Sequence, residues 1–164
     1  MAIEIERKFL VMGDGWRARV TRSVAMRQGY LSREAGKASV RVRLEDGVAN
    51  LNIKAAVVGS ARAEFEYAID PAEAAEILGS LCVGRVEKTR HYVEVDGLVW
   101  EIDEFTGDNA GLIVAELELA SVDQAFGRPD WLGHEVTEER RYYNHALSQR
   151  PFAQWSDAER DHAN

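Results

Sequence analysis

The sequence is short of everything that staples or anchors a chain from outside. Cys82 is the single cysteine among 164 residues. It excludes an internal disulfide and any cysteine-built metal cluster, and it fits a reduced compartment. The histidines at 91, 134, 145 and 162 show no metal-ligand spacing. No apolar run approaches the length of a membrane span, and the first residues are charged and alternating, unlike a signal peptide. Excess positive charge is missing too. A net charge of -8 makes nucleic acid or an anionic membrane a poor main partner. It does not exclude a small anion, because a local cluster can oppose the average. No internal repeat or low-complexity stretch is visible. These absences lead to the expectation of a cytoplasmic protein.

What remains is an ordinary globular composition, 46% hydrophobic and 29% charged, in a chain long enough for one sizeable core and too short for two. Alternation of apolar and polar residues predicts strands over 2–11, 23–33, 39–44, 49–55, 62–69, 85–95, 98–105 and 112–120. Asp46-Gly47 and Asp96-Gly97 mark two tight hairpins. "DPAEAAEILGSL" predicts a helix with Asp70 as N-cap and Pro71 at its first position. "SVDQAFGRPDWLG" predicts a short helix ended by Gly127, and "TEERRYYNHALSQR" another capped by Thr137. The expected organisation is α+β, with one domain over 1–150 and a C-terminal tail or short helix over 151–164.

Side chains on a strand alternate sides, so each strand can be divided into two faces. Glu4, Glu6 and Lys8 share a face in the first. Arg41 and Arg43 do so in the third; Asn50, Asn52 and Lys54 in the fourth; Arg62, Glu64 and Glu66 in the fifth. Lys88 and Arg90, Glu101 and Asp103, and Glu116 and Glu118 follow the same rule. A one-sided sheet with its charged face in water explains any single strand. Across seven strands the pattern is harder to explain that way. The sites are nearly all Arg, Lys, Glu and Asp rather than Thr, Ser and Gln, and the two signs segregate by strand. Closing the sheet into a barrel turns the charged face into a lumen, wide enough at eight strands for one small ligand. Uncompensated buried charge costs several kcal/mol per ion, so such a lumen calls for a compact polyanion carried by divalent cations. Carboxylates suit the cations; Arg and Lys suit phosphate oxygens.

"EIERK", followed in order by "RQGYLS", "VRVRLEDG", "LNIKAA", "RAEFEYAI", "EKTRHYVEVDGLVWEIDEFTG", "GLIVAELEL" and "WLGHEVTEERRYYNHAL", resembles the CYTH domain family, the triphosphate tunnel metalloenzymes. The resemblance covers most of the chain. It implies an eight-stranded antiparallel tunnel with helices outside, a small triphosphate substrate, and Mg²⁺ or Mn²⁺. By that resemblance Glu4, Glu6, Glu116 and Glu118 would hold metal, and Lys8, Arg41, Arg43, Lys54, Lys88 and Arg90 would bind substrate. Lys8, Glu64, Lys88 and Asp103 would take part in catalysis. One departure falls after "EVT", where the family pattern often carries aspartate before the tyrosine. Glu139 stands there instead, one methylene longer.

The implied reaction is metal-dependent hydrolysis of inorganic tripolyphosphate to pyrophosphate and phosphate. Adenylate cyclase, thiamine or nucleoside triphosphatase, and a non-catalytic polyphosphate-binding module stay open as alternatives. A homodimer is compatible with the sequence. The only aromatics on expected lumen positions are Tyr92 and Phe105, which favours a substrate without a base. Tyr30 is open between core, rim and substrate contact; Tyr142 and Tyr143 are expected to pack in the last helix, with the lining or capping of the tunnel by one of them left as the alternative. Trp16, Trp100, Trp131 and Trp155 are expected as packing anchors, and His91 and Arg7 as groups facing away from the lumen.

Overall fold

The computed structural model describes residues 2–34 and 36–163. The expected strands form as β1 (Ala2–Val11), β2 (Val20–Tyr30), β3 (Ala38–Glu45), β4 (Val48–Ala55), β5 (Ala61–Ile69), β6 (Gly84–Val95), β7 (Leu98–Phe105) and β8 (Ile113–Glu118). A ninth, β9 (Leu132–Glu135), was not expected. Helices α1 (Pro71–Ser80), α2 (Asn144–Gln149) and α3 (Asp157–Ala163) accompany the strands. None of the described helices is long and apolar enough to cross a membrane.

All strand pairs are antiparallel, and eight strands close on themselves in the order β1-β5-β4-β3-β2-β6-β7-β8, with β8 returning to β1. Two hairpins set this order. Asp46 and Gly47 have φ of 47° and 74°, and Asp96 and Gly97 have 52° and 77°. Positive φ at both central residues is what a two-residue hairpin matched to strand twist demands.

The closing strand is β1. Its first half pairs with β5, Glu4 opposite Arg62, and its second half pairs with β9, Phe9 opposite Glu135. Between the two, Glu6 N donates to Ser60 O at 2.7 Å and Lys8 N donates to Thr137 Oγ1 at 3.0 Å. Thr137 therefore does not cap a helix as expected. Its hydroxyl supplies the ladder partner that Lys8 would otherwise lack, and a buried N–H without one costs about 1–3 kcal/mol. The helix expected after it is split into a 3-10 turn, Arg140–Tyr142, and α2.

Three apolar clusters brace the barrel. On the outer face of β1, β6, β7 and β8, Phe9, Val93, Trp100, Ile102 and Leu117 pack with Trp16, Leu119, Trp131 and Leu132. The expected helix over 121–133 is absent, because Phe126 lies edge-on to Phe9 and Trp100 at 5.9 and 5.7 Å. Covering the barrel with Leu119, Phe126 and Trp131 requires an extended path, and burial overrides the local helix signal. On the outer face of β3 and β4, Ala74 and Leu78 of α1 meet Val42 and Ala49. Asp70 caps this helix as expected, accepting from Ala72 N at 2.8 Å and Glu73 N at 3.1 Å.

The third cluster fills part of the interior. Leu10, Val86, Phe105 and Val114 continue the lumen faces of β1, β6, β7 and β8, and they pack with Tyr142, Leu147, Phe152, Trp155 and Ala163. The segment beyond residue 150 thus contributes to an apolar plug in the barrel; Asn164 lies outside the described residues.

At Gly29 the barrel and α1 meet without room for a side chain. A Cβ there would stand 2.5 Å from Cys82 Sγ and 2.9 Å from Leu78 Cδ2. Gly29→Ala should lower stability by about 1–3 kcal/mol through overpacking. An unchanged denaturation midpoint would contradict this close approach.

Candidate active site

The barrel encloses a cavity of about 770 Å³, within the range of small-molecule sites. Eleven of the twelve residues assigned from sequence line it: Glu4, Glu6, Lys8, Arg41, Arg43, Lys54, Glu64, Lys88, Arg90, Glu116 and Glu118. Asp103 is the other. It is fully buried behind the lining, pinned between Lys88 and Arg90. Glu118 lines the cavity from an exposed position.

One wall, formed by β1, β6, β7 and β8, is internally saturated. Lys8 Nζ sits 2.6 Å from Glu116 Oε1. Arg90 donates to both oxygens of Asp103 at 2.8 Å, to Glu116 at 2.8 Å, and to Glu101. Lys88 donates to Asp103. Burial would raise the Glu116 carboxyl, but Lys8 and Arg90 outweigh it and hold the group ionised, well below the usual range. Asp103 likewise stays ionised, as Arg90 and Lys88 together overcome burial. Lys88 goes the other way. Its complete burial, aided by the like charge of Arg90, outweighs Asp103 and brings the ammonium down to about 8. The two directions agree, since Arg90 keeps Asp103 ionised even when Lys88 gives up its proton.

The closing seam carries mixed pairs. Lys54 Nζ contacts Glu4 at 2.8 Å and Glu64 at 3.4 Å, and Arg62 contacts Glu4 at 3.1 Å and Glu6 at 3.7 Å. Asn52 donates to Glu64 at 3.0 Å and Glu66 at 2.6 Å.

The opposite wall, β2 and β3 with Asn52 of β4, is unsatisfied. Neither amide atom of Gln28, which is 1% exposed, has a hydrogen-bond partner. Arg41 Nε and Asn52 Oδ1 also have none, and Arg43 is held by long ion pairs, 3.4 Å to Glu45 and 3.4 Å to Glu66. Buried polar atoms are ordinarily paired; Trp16, Trp131 and Tyr142 carry unpartnered atoms in the apolar clusters as well, but Gln28 and Arg41 line the cavity, where a polar ligand can meet them.

The acidic side suits a cation. Glu6 lies opposite Glu118, and Glu101 opposite Glu116, and like charges in register repel. Burial, then Glu116 and Glu4, push the Glu6 carboxyl up to about 7 against the pull of Lys8. Carboxylate oxygens suit a hard divalent ion such as Mg²⁺, but in this arrangement Lys8 and Arg90 hold both oxygens of Glu116, and among the described residues no three lumen carboxylates bring oxygens within 4.8 Å of one another.

Sequence reasoning placed Arg62, Glu66 and Glu101 on the charged face but not in the site; all three line the cavity. Gln28, Arg33 and Arg140 are not foreseen by the alternation, whereas Tyr143 realises the alternative of a tyrosine lining the tunnel. Gln28 could have been found by extending alternation along β2, where it stands opposite Arg43. Tyr143 faces the lumen beneath Lys8 and Arg62, with its hydroxyl donating to Thr137 O at 2.7 Å, whereas Tyr142 packs in the plug as expected. Tyr30 lines the cavity too, and Phe105 belongs to the plug. His91 and Arg7 face outward, Arg7 onto Glu135 of β9. Glu139 does not line the cavity; it pairs with Arg141 outside.

The sequence profile of the CYTH domain matches residues 2–150. The chain belongs to the CYTH domain family. Among CYTH relatives, an inorganic triphosphatase of Acetivibrio thermocellus is 42% identical over 158 residues, covering 96% of this chain and all of the relative. One of Nitrosomonas europaea is 40% identical over 151 residues, covering 88% and 96%. A solved inorganic triphosphatase superposes with a TM-score of 0.64 at 37% identity, covering 88% of this chain and 97% of the other. The barrel also superposes on a Hippeastrum protein described as a putative adenylyl cyclase with dominant triphosphatase activity, TM-score 0.54, covering 74% and 80%. At 16% identity that likeness concerns the fold alone.

The orphaned wall makes a stability prediction. Gln28→Met removes two unpartnered polar atoms at nearly constant shape, so the free protein should be unchanged or up to about 1 kcal/mol more stable. A clear fall in the denaturation midpoint would mean that the amide has partners in the free state.

Proposed function

We propose that this CYTH protein is a divalent-metal-dependent inorganic triphosphatase, hydrolysing tripolyphosphate to pyrophosphate and phosphate. The observation that carries this reading is one cavity lined by both the carboxylates Glu4, Glu6, Glu116 and Glu118 and the cations Lys8, Arg41, Arg43, Lys54, Lys88 and Arg90. The family, and two relatives named inorganic triphosphatase over nearly their whole lengths, support it.

Charge balance explains why metal belongs to the reading. Counting Asp103, nine carboxylates face nine cations around the cavity. Among the described residues the formal charges cancel, several of them at the exposed rim, so a triphosphate alone would add negative charge that nothing in the lining offsets. Glu4, Glu6, Glu116 and Glu118 would hold the divalent ions, Mg²⁺ or Mn²⁺ by the hardness of their oxygens. When bound, such an ion supplies charge neutralisation and polarises a phosphoryl oxygen or a water.

The chain's own residues supply the rest. Gln28 and Arg41 offer unpartnered donors to phosphate oxygens, and Arg43, resting on Glu45 and Glu66 at 3.4 Å, can turn its guanidinium to the same anion. Lys8 and Lys54 rest on Glu116 and Glu4. Once those carboxylates are engaged elsewhere, both ammoniums can turn to phosphate. Asp103 fixes Lys88 and Arg90 from behind. With a pKa near 8, Lys88 is the lumen cation poised to give up its proton near neutrality. Its neutral amine can accept a proton from the attacking water as the new P–O bond forms and the bond to the pyrophosphate oxygen breaks. Arg90 stabilises charge on the leaving oxygen.

Glu4→Gln and Glu116→Gln should each lower metal-dependent phosphate release from tripolyphosphate by about 10²-fold or more, with cooperative unfolding retained. Near-normal turnover in both would defeat the assignment. The pH profile tests Lys88. If its neutral form is the active one, turnover rises with pH through about 8, and Lys88→Arg, which stays charged, removes that step along with most of the rate. A rate that falls through the same range would instead assign Lys88 an obligatory positive charge.

A further inference from the structure

Sequence spacing gave the histidines no metal-binding partners, yet the fold brings two of them together. His134 on β9 and His162 on α3 both direct Nε2 at one oxygen of Glu139, at 3.7 and 3.9 Å. The three ligating atoms lie within 4.8 Å of one another, and the imidazoles meet edge to face at 5.7 Å. The other Glu139 oxygen is held by Arg141 at 3.0 Å. Arg141 therefore orients the carboxylate from behind and leaves Oε1 facing the two rings, as outer partners commonly do around metal sites.

We propose that His134, Glu139 and His162 form an outer cation site for a divalent transition metal of the zinc class. Two imidazoles and a carboxylate, with an open fourth position for water, are a donor set that Zn²⁺ accepts, at about 2.0–2.2 Å from each ligand. Drawing three atoms from their present separations onto one ion takes small side-chain movements, and both histidines are more than half exposed and free to make them. The ligands also separate this site from the lumen. Carboxylate oxygens alone select hard ions, whereas paired imidazoles favour zinc, cobalt or nickel over magnesium. The site serves the fold. It ties α3, whose Ala163 reaches the apolar plug, to β9, which runs along β1 beside Lys8. A bound ion would fasten the C-terminal helix to the strand that closes the barrel. None of this depends on the triphosphatase reading.

The test uses the full-length, metal-stripped protein in millimolar Mg²⁺, dialysed against micromolar Zn²⁺. The wild type should hold one more zinc per chain than His134→Ala/His162→Ala, and Glu139→Gln should weaken that equivalent at least tenfold. Zinc should raise the melting temperature of the wild type and not of the double variant. In imidazole NMR spectra, stoichiometric zinc should move the signals of His134 and His162 together and leave His91 and His145 in place. Tripolyphosphate turnover with Mg²⁺ alone should be the same in both proteins. Equal zinc uptake by wild type and double variant, or unmoved His134 and His162 signals, would overturn the proposal.

Discussion

Everything in this molecule follows from enclosing opposite charges inside a closed sheet. Removing an ion from water costs several kcal/mol, and attraction offsets that only where geometry is good and lone pairs are filled. The wall of β1, β6, β7 and β8 meets both conditions. Glu116 is shared by Lys8 and Arg90, and Asp103 by Arg90 and Lys88. These pairs interlock, so each charge is held by a neighbour that is itself held. That fixed array is the platform on which the opposite wall can stay incomplete.

Incompleteness is the functional half of the design. A buried amide with neither atom partnered, as at Gln28, weakens the free protein and rewards whatever fills it. Burial, with the Glu116 charge beside it, lifts Glu6 toward neutrality, and a proton or cation there relieves it. The two sides answer two parts of one ligand, an anion and its counterions. The apolar plug of Leu10, Val86, Phe105 and Val114 bounds this space, with the C-terminal segment packed into it. The last residues are thus tied to the shape of the site although they contribute none of its charges.

Much of this was legible in the chain. A period of two with charge on one face, repeated across seven strands, fixes which side chains converge once the sheet closes. Eleven of the twelve assigned site residues line the cavity for that reason, and Asp103 lies one layer behind them. The hairpins and the cap of α1 were legible because Asp-Gly pairs and an Asp-Pro start act through local backbone chemistry. Less legible was the region after β8. There Gly127 and Pro129 suggested a helix end, but Phe126 and Trp131 were drawn onto the barrel instead. β9 is four residues long, too short for its alternation to stand out.

The sequence by itself determined the alternation, the turns and the segregation of charge, since each depends on neighbours within a few residues. Tertiary structure alone decided the use of Thr137 as a ladder partner for β1, the split between a saturated and an unsatisfied wall, and the meeting of His134, Glu139 and His162. Those outcomes depend on distances between segments far apart in the chain, which barrel closure sets and local pattern does not encode.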